Sequence, residues 1–122
     1  MLFIEDQRIF LTKGDSAVLE VALENSEGEP YEMTGSDALK LTVSRIPDTG
    51  PALLSVSSAP GSNRLALSPA DTKDLAAGGY SCDIELTAAD GGVYTVFPKY
   101  EGISRAYPVN TKNFNIMPEV GA

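Results

Sequence analysis

The sequence contains no histidine, no tryptophan and a single cysteine. Without histidine, Ser-His-Asp and Cys-His catalysis, histidine-containing zinc sites and a histidine pH switch are all excluded. The one cysteine, Cys82, cannot form an intramolecular disulfide, so the fold has to be stable with this thiol reduced. These absences remove much of known enzyme chemistry, and we expect a protein that is not an enzyme and uses no cofactor or metal.

Basic residues are also scarce. Nine lysines and arginines stand against 17 acids, which gives a formal net charge of −8 at pH 7. Such a chain repels phosphate, so the charge predicts neither nucleic-acid binding nor binding to an anionic membrane. No apolar run approaches the roughly 18 residues of a membrane span. The apolar residues 1–4 are followed at once by Glu5 and Asp6, a pattern that differs from a secretion signal. We therefore expect the protein to fold in the cytoplasm.

What the sequence does contain is enough apolar material for one core. A chain of 122 residues has the usual length of one domain, and 43% of its residues are hydrophobic. We therefore expect residues 1–122 to form one domain whose core needs no disulfide or metal.

Short apolar runs alternate with polar residues in steps of two, and Gly, Pro, Asp, Asn and Ser clusters separate them. This pattern is typical of an all-β fold, here an antiparallel β-sandwich. Residues 80–87 show the best alternation, and 89–92 supply the turn of a hairpin to the next strand. The predicted strands span residues 17–25, 39–45, 52–57, 64–68, 80–87, 93–97 and 113–117.

One short helix is predicted between two strands, over residues 69–77. Ser68 and Asp71 have the spacing of a capping box, and Pro69 suits the first helical position. Gly78 or Gly79 would end the helix, and Leu75 would attach it to the core.

Tyr80 and Cys82 follow two glycines at the start of the best predicted strand. This stretch resembles the corner before strand F of immunoglobulin domains, where a Tyr two residues before a Cys bonds back to the chain. The likeness predicts an immunoglobulin-like sandwich without the second cysteine and the core tryptophan of antibody domains. Tyr80 and Cys82 are expected to be packing residues, because no base is present to activate a thiol.

Six acids follow one another without an intervening base: Glu20, Glu24, Glu27, Glu29, Glu32 and Asp37. Their spacing does not match a calcium-binding loop. Alternation instead places Glu20 and Glu24 on an exposed strand face, and we interpret the whole run as a solvated acidic surface.

Residues 98–111 form the longest stretch without a strand pattern, and they are rich in aromatic and basic residues. The candidate assembly contacts in this predicted loop are Lys99, Tyr100, Ile103, Arg105 and Tyr107. Tyrosine and arginine are enriched at protein interfaces, and loops often carry function. The alternative is a crossover whose aromatic residues fold back onto their own domain.

Segments along most of the chain together resemble small phage tail and baseplate modules. They are residues 11–16, 27–35, 39–43, 65–69, 71–72, 75, 79–80, 83–86 and 113–120. The sequence is most similar to the N-terminal domain of baseplate upper proteins of phages that infect Gram-positive bacteria. That resemblance implies a structural virion component without catalysis, made in the bacterial host cytoplasm.

The resemblance implies other virion proteins of a tail, neck or baseplate as partners. Unprotected sheet edges and the predicted loop over 98–111 add a second copy of the chain as an expected partner. The alternative function is an immunoglobulin-like binding module of a bacterial surface or adhesin protein.

Overall fold

A computed structural model of the chain describes residues 2–5, 8–24, 27–45, 51–97 and 113–118. These residues are mostly β-strand with one short helix, which confirms the all-β prediction. The strands are β1 (Leu2–Glu5), β2 (Arg8–Thr12), β3 (Ala17–Glu20), β4 (Ala38–Ser44), β5 (Leu54–Ser57), β6 (Arg64–Leu67), β7 (Gly78–Thr87), β8 (Val93–Phe97) and β9 (Phe114–Met117). The helix, α1 (Pro69–Lys73), lies between β6 and β7. Within these ranges the structure has no helix long and apolar enough to cross a membrane.

The larger sheet has the strand order β1-β2-β9-β7-β4-β5, and β8 also pairs with β7. Its pairs are antiparallel except for β2 and β9, which run parallel with Ile9 opposite Phe114. The prediction of an entirely antiparallel arrangement is therefore wrong for this pair. Parallel strands cannot be joined by a tight turn, and almost the whole chain lies between β2 and β9. No local turn pattern in the sequence could therefore have predicted that β2 pairs with β9.

The smaller sheet contains β3 and β6, an antiparallel pair with Leu19 opposite Leu65. Buried side chains of both sheets belong to one hydrophobic core, so the sheets form two layers around it. The core consists of Ile9, Leu11, Leu19, Leu23, Leu39, Leu41, Val43, Leu54, Leu65, Leu67, Cys82, Ile84, Leu86, Phe114 and Ile116.

Period-two alternation correctly identified the buried face of most strands. In β4 the side chains of Leu39, Leu41 and Val43 are fully buried, while Lys40 is exposed. The same pattern operates in β7 and β9, because successive side chains of a strand point to opposite faces of the sheet.

The predicted strand over residues 17–25 is shorter than expected and ends at Glu20. Its partner explains the difference, because β6 begins at Arg64, directly opposite Glu20. One further contact extends the pairing, where Val21 donates its N–H to the Asn63 carbonyl at 2.9 Å. Strands β1 and β2 were not predicted at all.

The helix also ends earlier than predicted. The Asp71 carboxylate accepts the Ser68 N–H at 2.7 Å, which supports the predicted start. The helix stops at Lys73, however, and Gly78 and Gly79 belong to β7. They are strand residues and do not cap the helix. Thr72 fixes the helix position, because its buried hydroxyl accepts the Gly14 N–H at 3.0 Å.

The hydrogen bond predicted for the Tyr80 hydroxyl is present. The Tyr80 hydroxyl donates a hydrogen bond to the Ala76 carbonyl at 2.6 Å, and the partly buried Tyr80 side chain packs on the core. Cys82 is buried two residues later, as the sequence predicted. The bond ties the approach to β7 to the strand itself.

Replacing Tyr80 with phenylalanine is expected to lower the free energy of unfolding by about 1 kcal/mol, because it removes one partly exposed hydrogen bond and no apolar surface. Urea denaturation measures the change. Tyr94→Phe is the matched control, since the Tyr94 side chain is about half exposed. Equal midpoints for Tyr80→Phe and the unchanged chain would show that the corner bond contributes nothing.

Candidate interaction surface

The five candidate contacts predicted from sequence, Lys99, Tyr100, Ile103, Arg105 and Tyr107, lie outside the described residues. The whole predicted loop over 98–111 also lies outside the described residues. The structure does place the two ends from which residues 98–112 depart. The chain leaves the sheet at Phe97, the last residue of β8, and re-enters it at Asn113, just before β9.

The side chain of Asn113 holds the second of these ends. Its Oδ1 accepts the Cys82 N–H at 2.6 Å, and its Nδ2 donates to the Cys82 carbonyl at 2.8 Å. Asn113 is 1% exposed, and its own carbonyl accepts the Ile9 N–H at 2.7 Å. A side-chain amide has the same donor and acceptor groups as a peptide, so the Asn113 side chain takes the place of a strand residue beside Cys82. We call these two hydrogen bonds between Asn113 and Cys82 the Asn113 clamp.

Strands β8 and β9 occupy the same edge of β7. Phe97 lies opposite Ile84, Phe114 lies opposite Tyr80, and Asn113 bonds to Cys82 between them. Alternate residues of a strand direct their backbone groups to the same side, so these three contacts line one edge. The pairing positions on β7 are four residues apart, about 13 Å along the strand. Residues 98–112 therefore depart from and return to one interrupted strand position.

The Cys82 thiol beside this clamp lies in the core, 3% exposed. Burial raises the pKa of the Cys82 thiol far above its ordinary value, and the charge of Asp83 adds to the effect. The thiolate is the reactive form of cysteine, so this position is chemically inert in the native state.

We expect native Cys82 to react with a thiol reagent such as DTNB at least roughly 100-fold more slowly than in 8 M urea, because reaction requires the core to open. Absorbance of the released thiolate measures the rate. A Val18→Cys, Cys82→Ala variant is the control, since position 18 is 56% exposed. Equal native rates at positions 82 and 18 would contradict the buried assignment.

Asp37, the residue before β4, joins two loops through its carboxylate. Oδ2 accepts the Tyr31 hydroxyl at 2.7 Å and the Thr34 N–H at 2.9 Å, and Oδ1 accepts the Ala89 N–H at 3.0 Å. Asp37 is 1% exposed. Donation from the Thr34 N–H, followed by the Tyr31 hydroxyl, lowers the pKa of Asp37 despite its burial. The segment before β4 and the β7–β8 turn are thus held together by one ionised group.

The backbone of Asp37 adds a third loop, between β5 and β6. Its carbonyl accepts the Gly61 N–H at 2.8 Å. Gly61 has φ +78°, and a Cβ there would lie 3.2 Å from both Gly35 Cα and the Thr34 carbonyl oxygen, so this close approach requires glycine. Three loops, residues 27–37, 58–62 and 88–92, therefore meet at one end of the two-layer fold.

Two tyrosines are exposed at this end, Tyr31 at 37% and Tyr94 at 53%. The bond to Asp37 is the largest cause that raises the pKa of Tyr31, followed by burial and by the charges of Asp37 and Asp90, with Tyr94 last. The Tyr94 hydroxyl lies over the β7–β8 turn, where a Cβ on Gly92 would be only 2.7 Å from it. We call Tyr31, Asp90 and Tyr94 the tyrosine surface.

The prediction that Asp37 lies on a solvated acidic face is wrong, because its side chain is buried, although Glu20 and Glu24 are exposed as predicted. The missed signal was periodicity. Asp37 lies two residues before the buried Leu39, in the inward-facing series of β4. Tyr31 and Tyr94 were not singled out, because exposure of a tyrosine depends on which loops surround it.

The described residues contain no group of three His, Cys, Asp or Glu side chains that could hold a metal ion. The described residues present aromatic and acidic side chains on loops that are joined at Asp37, together with an exposed sheet edge at β8. Comparison of the chain with protein-family models, curated proteins and solved structures finds no match.

Proposed function

We propose that this chain is a non-catalytic structural protein of a phage or prophage virion, a component of the tail, neck or baseplate that acts by protein–protein assembly. The observation that carries the proposal is the Asn113 clamp. In it, a buried polar side chain bonds to the Cys82 backbone and fixes the point at which the chain returns to the sheet after residues 98–112. An excursion of fifteen residues from one strand position is long for a compact domain, and such segments are often functional. The sequence resemblance to baseplate modules supplies the virion context.

The same proposal includes an immunoglobulin-like topology. In such domains strands C, F and G share one sheet, which C′ extends in variable-type domains, and strands B and E share the other. The order β9-β7-β4-β5 corresponds to G-F-C-C′, and β3 with β6 corresponds to B with E. The bond from Tyr80 to Ala76 occupies the position of the tyrosine corner before strand F. These correspondences support the assignment.

The partners proposed are other virion proteins and a second copy of this chain. Residues 98–112 contain three basic residues and one acid in a chain whose formal net charge is −8. That sign contrast favours contact between residues 98–112 and the acidic remainder of a neighbouring molecule. The same net charge disfavours nucleic acid and anionic membrane as partners.

The experiment measures molar mass by light scattering after size exclusion, alone and after co-expression with proteins encoded by the neighbouring open reading frames. We expect a complex of fixed stoichiometry with a neighbouring structural protein or with itself, weakened by Tyr100→Ala with Tyr107→Ala and by high salt. Val18→Ala is the control for loss of an exposed apolar side chain. Monomers under every condition, with no complex among the neighbours, would remove the assembly role.

The alternative, a binding module of a bacterial surface or adhesin protein, is favoured by one observation. Three loops meet at one end of the fold around Asp37, as the binding loops of immunoglobulin variable domains do. Neighbouring reading frames separate the two functions, because a virion component is expected among other virion genes and an adhesin module among surface-protein genes.

A further inference from the structure

We propose that the tyrosine surface binds an extended, lysine- or arginine-containing segment of a partner protein. This inference rests on the proposed assembly function, for which it names a docking surface and the chemistry of the partner. The surface is separate in sequence from the five candidate contacts within residues 98–111.

Both aromatic side chains contact residues of the neighbouring loops in the structure. The Tyr31 hydroxyl is fixed by Asp37 at 2.7 Å, while the Tyr94 side chain lies over Gly92. A tyrosine has few rotatable bonds, so contact with an ordered ring costs little entropy, and exposed tyrosines are frequent anchors of interfaces.

The negative charge of the surrounding loops favours a partner segment of positive charge. Residues 27–37, 58–62 and 88–92 contain five acids, Glu27, Glu29, Glu32, Asp37 and Asp90, and no lysine or arginine. A basic segment is attracted to this end of the molecule, and its cationic groups can also lie over the faces of Tyr31 and Tyr94. An acidic segment would be repelled.

The neighbouring strand favours an extended partner. Within the described ranges β8 pairs with β7 alone, so it lies at an edge of the sheet, and its Val93 and Thr95 side chains are exposed. A segment in extended conformation can add main-chain hydrogen bonds along such an edge while its side chains contact the tyrosines.

The test uses fluorescence anisotropy with a labelled octapeptide of alternating lysine and leucine, and the glutamate–leucine octapeptide as its charge-reversed counterpart. We expect the lysine peptide alone to bind the full chain, with affinity that falls as salt increases. Tyr94→Ala should weaken binding about tenfold or more, as expected for an anchoring aromatic. Val18→Ala removes an equally exposed apolar side chain on β3 and should leave affinity unchanged.

Charge is tested by neutralising two acids without changing their shape. Glu32→Gln with Asp90→Asn should weaken binding about threefold to tenfold, more than a remote pair of the same charge. That remote pair is Glu20→Gln with Asp74→Asn, whose side chains are exposed on β3 and after α1. Circular dichroism and melting temperature verify that each variant is folded.

Three results would overturn the proposal. Equal weakening by the two neutralised pairs would mean general attraction to an acidic protein, and absence of peptide binding at low salt would mean that no such surface exists. If the chain alone self-associates and Tyr94→Ala makes it monomeric, the occupant is a second copy and not a separate partner. Complexes that depend on Tyr100 and Tyr107 would survive the first two results, which keeps this test distinct from that of the assembly role.

Discussion

Asn113→Ala is expected to lower the free energy of unfolding by about 2 to 4 kcal/mol, among the largest effects of any polar substitution in this chain. The substitution leaves both the N–H and the carbonyl of Cys82 without the partner that Asn113 provides. Each buried backbone group that loses its hydrogen bond costs roughly 1 to 3 kcal/mol. Water cannot easily substitute, because Asn113 is 1% exposed and Cys82 is 3% exposed.

Asn113→Asp gives a sharper comparison than alanine. A carboxylate can accept the Cys82 N–H but faces the Cys82 carbonyl with a second acceptor, and it carries a charge into the core. We expect this near-isosteric variant to be at least as unstable as Asn113→Ala at pH 7. Urea denaturation of both variants measures the effect.

Asn63→Ala is the control for the loss of a more exposed amide. Its Nδ2 donates to the Val21 carbonyl at 3.2 Å in a partly buried position, so the expected cost is below about 1.5 kcal/mol. If Asn113→Ala costs no more than Asn63→Ala, the clamp is not a stabilising element, and the observation that carries the proposed function loses its force.

The regular part of the fold could be predicted because it depends on local pattern. Alternation identified the buried faces of β4 and β7, and the Gly-rich turn identified β8 with its observed bounds. Strand ends and partners depend on contacts distant in sequence. Thus β3 ends where β6 begins, and β2 lies beside β9 across most of the chain.

The candidate surface was harder to predict for the same reason. In the sequence, Asn113 is the first residue of the predicted strand over 113–117, and only its position opposite Cys82 makes its side chain part of the sheet. In the sequence, Asp37 is one of several neighbouring acids and nothing distinguishes it from them. Its hydrogen-bond partners, however, come from turns that are brought together by folding. Sequence pattern identifies which residues face inward, but it does not identify the partner of an inward-facing polar group.

The second large effect is a dependence of stability on pH that arises from Asp37. Its pKa is lowered in the folded protein, first by the Thr34 N–H and then by the Tyr31 hydroxyl. In the unfolded chain an aspartate titrates near its ordinary value of about 3.9. The stabilisation is therefore fully present above that value, and it is lost as the pH falls through the lower folded pKa, because the unfolded state binds the proton first.

Asp37→Asn should accordingly destabilise the protein at pH 7 and flatten the loss of stability below about pH 4. An asparagine offers one acceptor oxygen where the carboxylate offers two, so at least one of the three donors loses its partner. Urea midpoints measured from pH 2.5 to pH 7 test both effects. Glu32→Gln, an exposed neighbour, should change the midpoint at pH 7 several-fold less.

Tyr31→Phe separates the contribution of the phenol from that of the two backbone donors. Without the Tyr31 hydroxyl the pKa of Asp37 should rise toward its ordinary value, so the acid-dependent loss of stability becomes smaller but does not vanish. Tyr31 itself has a raised pKa, chiefly through its bond to Asp37, and that stabilisation is lost as pH rises above about 10. Tyr31→Phe should therefore remove the alkaline loss that this residue causes. If the double variant Tyr31→Phe, Asp37→Asn shows strictly additive losses, the two side chains are not coupled and the loop arrangement around Asp37 is wrong.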